Sequence, residues 1–251
     1  MILRFWEFLY AYSEWAARIA NAFIFFFTLL GFFALPGAKS KWQWILPGWF
    51  LGLNLFLLFA PNALHPGENP VLYLALIHAP WIFMTLDLFN HGKASKVVDQ
   101  IPIQALLFWS LYRFMGLSHL FAIPSGTIPN VFAIEIAFGE FFTAFGALIL
   151  LLLNRCQSSW WYRSVLLFWN AYGCIAILST VFKMALANPE LHGLRYTQDI
   201  HRYVTSFPHH WVTFFWIPVS LCIHVSIFYK LYARNTSALE QPNAETEMVH
   251  L

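Results

Sequence analysis

Charge is what this chain has least of. Lysine, arginine, aspartate and glutamate make up 10% of its 251 residues, against roughly 25% in an ordinary soluble domain. That shortage excludes a globule with a charged, water-facing shell. The basic residues are scattered and the formal net charge is only +2, so there is no basic stripe of the kind that tracks a phosphate backbone, and nucleic acid is excluded as a partner. Cysteine is equally scarce. Cys156, Cys174 and Cys222 are an odd number without metal-ligand spacing, and two of them lie inside apolar runs, where cysteine acts as a small hydrophobe rather than half of a disulfide. No His-x-x-x-His or Cys-x-x-Cys occurs, no lysine lies deep in the last apolar run as a retinal-type photoreceptor would need, and no internal repeat marks a transporter built from copied halves.

What is abundant is apolar and aromatic side chain, 59% and 20% of the residues. It comes in blocks of about 20, the length that crosses ~30 Å of hydrocarbon as a helix. Seven runs are expected to span: about Trp15 to Leu35, Trp42 to Ala60, Pro70 to Asn90, Gln100 to Ala122, Pro129 to Leu153, Trp161 to Ala187 and Phe207 to Tyr232. A helix is the open-ended structure that satisfies its own backbone in lipid. The expected fold is therefore all-α, a polytopic bundle of seven transmembrane helices in the lipid bilayer. The breaks carry Leu35-Pro36-Gly37, Ala60-Pro61-Asn62 and His65-Pro66-Gly67. Residues 1–14 mix charge with aromatics in an order unlike a signal peptide and read as an interfacial segment. Residues 15–232 form the transmembrane domain, and residues 233–251 a polar cytoplasmic tail.

Orientation follows from the basic residues on alternate connections. Lys39, Lys41, Lys93, Lys96, Arg155, Arg163, Lys230 and Arg234 fall on one side; Arg4, Arg195 and Arg202 fall on the other. The first side is expected to be cytoplasmic, which puts the N-terminus outside and the C-terminus inside.

Ionisable residues inside such runs are costly and mark candidate sites. Counted from the outer end of each run at 1.5 Å per residue, His78, Arg113 and Glu140 lie ~12, ~13 and ~16 Å deep, with Arg113 and Glu140 the expected charge pair. Asp87, Asn170 and His224 fall near ~25 Å and form a second expected layer. Glu135 lies ~9 Å deep, where it faces an expected outer vestibule. His65, His119, His192, His201, His209 and His210 map to the outer side; of these, His119, His209 and His210 are the candidate metal ligands, since imidazole suits transition metals. Small residues Gly139, Ala144, Gly146 and Ala147 point to a close helix approach.

Tyr112-Arg113-x-x-Gly116, Ile128-Pro129 with Phe132-Ala133, Gly139-Glu140, Trp169-Asn170, and Pro218 with His224 occur in that order. Through them the second half of the chain resembles a group of uncharacterised bacterial multi-pass membrane proteins. Glu140 stands where that pattern usually has aspartate. The resemblance implies a location in the bacterial cytoplasmic (inner) membrane and a set of candidate residues, without a mechanism. The function expected from the residues themselves is binding or transport of a small solute or ion through an outward-facing polar vestibule. The alternatives are a metal- or haem-dependent intramembrane enzyme and a structural or assembly protein without ligand. If the orientation is right, Lys39→Cys, Lys93→Cys and Lys230→Cys will all resist a membrane-impermeant thiol reagent applied to sealed cells, and labelling at any one of them would reverse it.

Overall fold

The computed structural model describes residues 70–90, 92–123, 128–186, 200 and 212–239, together with positions 4, 5, 8, 48 and 52. The expected spans Trp15 to Leu35 and Trp42 to Ala60 lie outside the described residues, apart from positions 48 and 52 of the second. Among the described residues there are six α-helices and no strand: α1 (Pro70–Phe89), α2 (Lys93–Gln100), α3 (Ile103–Trp109), α4 (Asn130–Leu152), α5 (Trp160–Leu186) and α6 (Ile217–Leu239). Three helical stretches are long and apolar enough to cross a membrane, Asn130–Leu152, Trp160–Met184 and Val212–Ala233, with a shorter apolar stretch at Leu74–Phe89. These mark a membrane protein, and the seven-span topology expected above goes beyond them.

α1 opens on Pro70, whose missing N–H costs nothing at a first helical position. It closes through its own acid: Asp87 Oδ2 accepts a hydrogen bond from Ala94 N at 2.6 Å, so the carboxylate near the end of α1 caps the start of α2. This tight turn requires Gly92, because a Cβ there would lie 2.1 Å from Asp87 Oδ1. α2 is amphipathic, burying Ala94, Ser95 and Val98 while Lys93, Lys96 and Asp99 stay exposed. It ends at Ile101, which is extended as the residue before a proline must be, and Pro102 starts α3. The side chain of Gln104 in α3 reaches the turn after α4, donating to Asn154 Oδ1 at 2.7 Å and Gln157 Oε1 at 2.9 Å.

The fourth expected run, Gln100 to Ala122, is not one continuous α-helix. After α3 the chain tightens into a 3₁₀ helix over Ser110–Ala122, far longer than the three or four residues usual for this geometry. Its burial repeats every third residue: Ser110, Arg113, Gly116 and His119 are buried and the pairs between them are only partly so. In a 3₁₀ helix positions i and i+3 eclipse, so these four form a straight row. On an α-helix, with 3.6 residues per turn, the same spacing would wind away around the surface.

α4 packs along this row. Ala133, Ala137, Ala144 and Ala147 are buried, while Val131, Ile134, Phe138, Phe142, Phe145, Ile149 and Leu152 form an exposed stripe at spacings of three and four. An exposed stripe that is apolar except for Glu135, opposite a small-residue face, is the composition of a helix between lipid and protein. α5 repeats the division, exposing Val165, Phe168, Ile175 and Phe182 and burying Leu166, Ile177, Val181 and Met184. α6 is the exception. In an 18-residue apolar window of the stretch Val212–Ala233 89% of the residues are buried, against 33% in the matching windows of Asn130–Leu152 and Trp160–Met184, so α6 is the most enclosed of the three long helices. It is preceded by a π-turn, Val212–Trp216, just before Pro218, and it continues to Leu239, past the expected boundary at residue 232.

Gly146 shows how closely α4 and α5 approach. A Cβ there would sit 2.5 Å from Trp169 Cδ1 and 2.9 Å from its Nε1, and that indole donates to Thr143 O at 2.8 Å. Gly146→Ala is expected to displace the indole and destabilise the fold by about 1–3 kcal/mol. Chemical denaturation in detergent measures this, and unchanged stability would show that the ring gives way freely.

Candidate functional site

The 3₁₀ row, α4, α5 and α6 converge on one buried polar network. Arg113 is 1% exposed. One edge of its guanidinium meets Glu140 of α4 as a fork: Nε donates to Oε2 at 2.6 Å and Nη2 to Oε1 at 2.9 Å. This bidentate geometry is the strongest form an arginine–carboxylate contact takes. The remaining nitrogen, Nη1, lies 2.9 Å from Nε2 of His224 in α6. His224 Nδ1 lies 2.8 Å from Oδ1 of Asn170 in α5, and Asn170 Nδ2 donates to the backbone carbonyl of His224 at 2.9 Å.

These contacts assign the hydrogens. A guanidinium only donates, so His224 Nε2 is an acceptor. Asn170 uses its amide nitrogen on a carbonyl, so its Oδ1 accepts, and His224 carries its proton on Nδ1. His224 is therefore a neutral imidazole with both nitrogens engaged. A second proton on it would expel Arg113.

Two glycines make the convergence possible. A Cβ on Gly116 would meet Glu140 Cβ at 2.3 Å, and a Cβ on Gly173 would meet His224 Cε1 at 2.3 Å and Nε2 at 2.6 Å. Trp169 covers the imidazole, with ring centroids 5.4 Å apart. Tyr112 anchors the 3₁₀ helix to α6: its hydroxyl donates to Trp216 O at 3.1 Å and is also hydrogen-bonded to Ser220 Oγ. Sequence reasoning did not single out Gly173 or Thr143. Gly173 leaves room for the imidazole and Thr143 supplies the carbonyl that holds the Trp169 indole, and nothing in their local sequence announces either role.

The two layers expected from depth counting are one network, because Asn170 and His224 join Arg113 and Glu140. The counting erred at both ends. The 3₁₀ rise of ~2.0 Å per residue puts Arg113 ~18 Å from Ala122, and counting α6 from Val212, where its helical stretch begins, puts His224 ~18 Å in as well. His78 and Asp87 have other partners. His78 Nδ1 accepts from Trp81 Nε1 at 2.9 Å within α1, and Asp87 is the cap already described. Asp87 also lines an apolar groove of about 690 Å³ with Pro80, Met84, Val98 and Ile223. Cys222 and Ser226 line the same groove, which thus lies on a different face of α6 from His224. Glu135 pairs with Lys183 of α5 at the surface, both partly exposed. His119 is buried in the 3₁₀ row, while His209 and His210 lie outside the described residues. Among the described residues no three His, Cys, Asp or Glu side chains are grouped to hold a metal ion.

Residues 70–232, more than half of the chain, match the family described as Domain of unknown function (DUF8737), and the chain belongs to that family. The matched stretch begins at the first residue of α1 and includes every member of the network. No curated protein and no solved structure matches the chain.

The side chains of Arg113 and Glu140 are 1% and 24% exposed, and this asymmetry sets the expected energetics. Glu140→Leu strands a buried guanidinium that cannot lose its charge, and is expected to cost about 3–5 kcal/mol. Arg113→Leu leaves a carboxylate that is only partly buried and that, unlike a guanidinium, can be neutralised by protonation, and is expected to cost less. The double substitution should recover part of the larger loss. Unfolding titrations of all four proteins measure the coupling, and strictly additive losses would mean the two residues act independently.

Proposed function

We propose that this protein is a polytopic protein of the bacterial cytoplasmic membrane, with seven spans, the N-terminus outside and the C-terminus inside, that binds a small polar solute or ion at the Arg113 network and transports it. The observation that carries the reading is the exposure of Glu140. It is the one partly exposed residue in a network whose other three members, Arg113, Asn170 and His224, are buried. A purely structural ion pair has no need for an accessible side, whereas a site that exchanges a ligand does. Supporting it are the polar groups placed beyond the network toward the same end of the helices. His119 lies ~12 Å along the 3₁₀ row from Arg113, and the Glu135–Lys183 pair lies ~7.5 Å along α4 from Glu140. In a membrane such residues are expensive, and a graded series of them is what a path for a polar solute requires.

A structural or assembly role without ligand is the second reading, favoured by the tight seating of Glu140 on Gly116 and of His224 on Gly173. The metal- or haem-dependent alternative has no comparable support, since the buried histidine of the network spends both nitrogens on Arg113 and Asn170. Thermal unfolding of the detergent-purified protein against sodium, ammonium, short-chain amines and short-chain carboxylates separates the two supported readings. At least one class is expected to raise Tm in the wild type and to have a changed effect in Glu140→Gln. No response from any class would leave the structural reading.

A further inference from the structure

We infer that the ligand of this site is a small monocarboxylate, taken up together with one proton: the proton neutralises Glu140, and the carboxylate of the solute takes its place on Arg113. The inference rests on the solute-binding reading above and specifies it.

The argument begins with charge. Arg113 is permanently cationic and buried, so whichever state the site adopts must contain one matching anion. In the structure that anion is Glu140. Two edges of the guanidinium behave differently. The Nη1 edge is held by His224, whose imidazole is in turn fixed by two contacts with Asn170. That side is a positioning element: His224 cannot take the incoming proton without losing both its acceptor role toward Arg113 and its neutral form. The Nε–Nη2 edge faces Glu140, the one network residue with an exposed side. Exchange is therefore confined to that edge, and Glu140 is the group that takes the proton.

The same edge defines the chemical class. Two parallel N–H donors match a planar group with two oxygen acceptors, which a carboxylate supplies and a halide does not. A cation or an ammonium group would have to settle beside the guanidinium and is opposed by it. A dianion would exchange one uncompensated charge for another. In the exchange, one proton taken from the hydronium or buffer acid of the medium adds to a Glu140 carboxylate oxygen, the two hydrogen bonds from Nε and Nη2 to Glu140 break, and two equivalent bonds to the solute form. The site holds one positive and one negative charge before and after. Among the described residues the other ionisable groups around it are Tyr112 and His119 of the 3₁₀ helix, within electrostatic reach of Glu140, Cys174 of α5 near Arg113, and His224 of α6.

Acetate is the probe. Added to the purified full-length protein in weak buffer, it is expected to bind with uptake of one proton, seen with an indicator dye, and with an affinity that rises up to tenfold per unit of falling pH. Glu140→Gln mimics the protonated state and leaves Arg113 without its resident anion. That variant should bind acetate without proton uptake, independently of pH, and gain Tm from it. Should the variant not fold, the wild-type proton count decides alone. Acetate binding without a proton, or stabilisation by sodium or ammonium instead of acetate, overturns this inference while leaving the solute-binding reading intact. Silence toward every ion removes both.

Discussion

An arginine cannot shed its charge, and Arg113 is buried almost completely. The rest of the structure can be understood as the means of meeting that one demand inside a helical bundle poor in charge. α4 brings a carboxylate to one edge of the guanidinium, α6 brings an imidazole nitrogen to the other, and α5 brings the amide that holds the imidazole. Each partner comes from a different helix, so the network also ties together the elements that carry it. α6 is the natural hub, because the stretch Val212–Ala233 that it continues is mostly buried while α4 and α5 each keep an apolar face outward.

The geometry that admits the guanidinium is the long 3₁₀ helix. Its three-residue turn aligns Ser110, Arg113, Gly116 and His119 along the seam with α4, and its greater rise carries Arg113 to the depth of His224. Hydrogen bonds in a 3₁₀ helix are poorer than in an α-helix, and runs of this length are uncommon. Contacts outside the ladder support it: Ser110 Oγ donates to Leu106 O at 3.0 Å at its start, and Tyr112 ties it to the π-turn region of α6. Gly116 then lets the α4 backbone approach until the Glu140 side chain lies directly over it. A larger residue there would separate the two charges that the burial of Arg113 requires to touch.

Much of this was legible before any coordinates. Charge scarcity and apolar runs of about 20 residues define a membrane protein because the backbone and side chains leave few other ways to be stable. Gly139, Ala144, Gly146 and Ala147 pointed to a close helix approach, and the structure places Gly139 and Gly146 against Ala176 and Trp169 of α5. Arg113 and Glu140 were natural partners on cost alone, since either ion by itself would be expensive at that depth. The period-three row from Ser110 to His119 was also present in the sequence, but it becomes meaningful only once the helix is known to turn every three residues.

What the sequence determined by itself was class and cost: an all-helical membrane protein carrying a few ions that had to be paired. Those conclusions depend on side-chain chemistry and the dimensions of a bilayer, which act locally and can be counted along a chain. What only the tertiary structure decided was assignment. His224 and Asn170 joined Arg113 rather than Asp87, His78 turned to Trp81, Asp87 became a cap for α2, and Glu135 met Lys183. The physical reason is that depth depends on helix type and starting point, and facing depends on rotation about each axis. A change from 1.5 to ~2.0 Å of rise per residue over nine residues moves a side chain by ~4.5 Å, more than the length of the hydrogen bond that selects its partner.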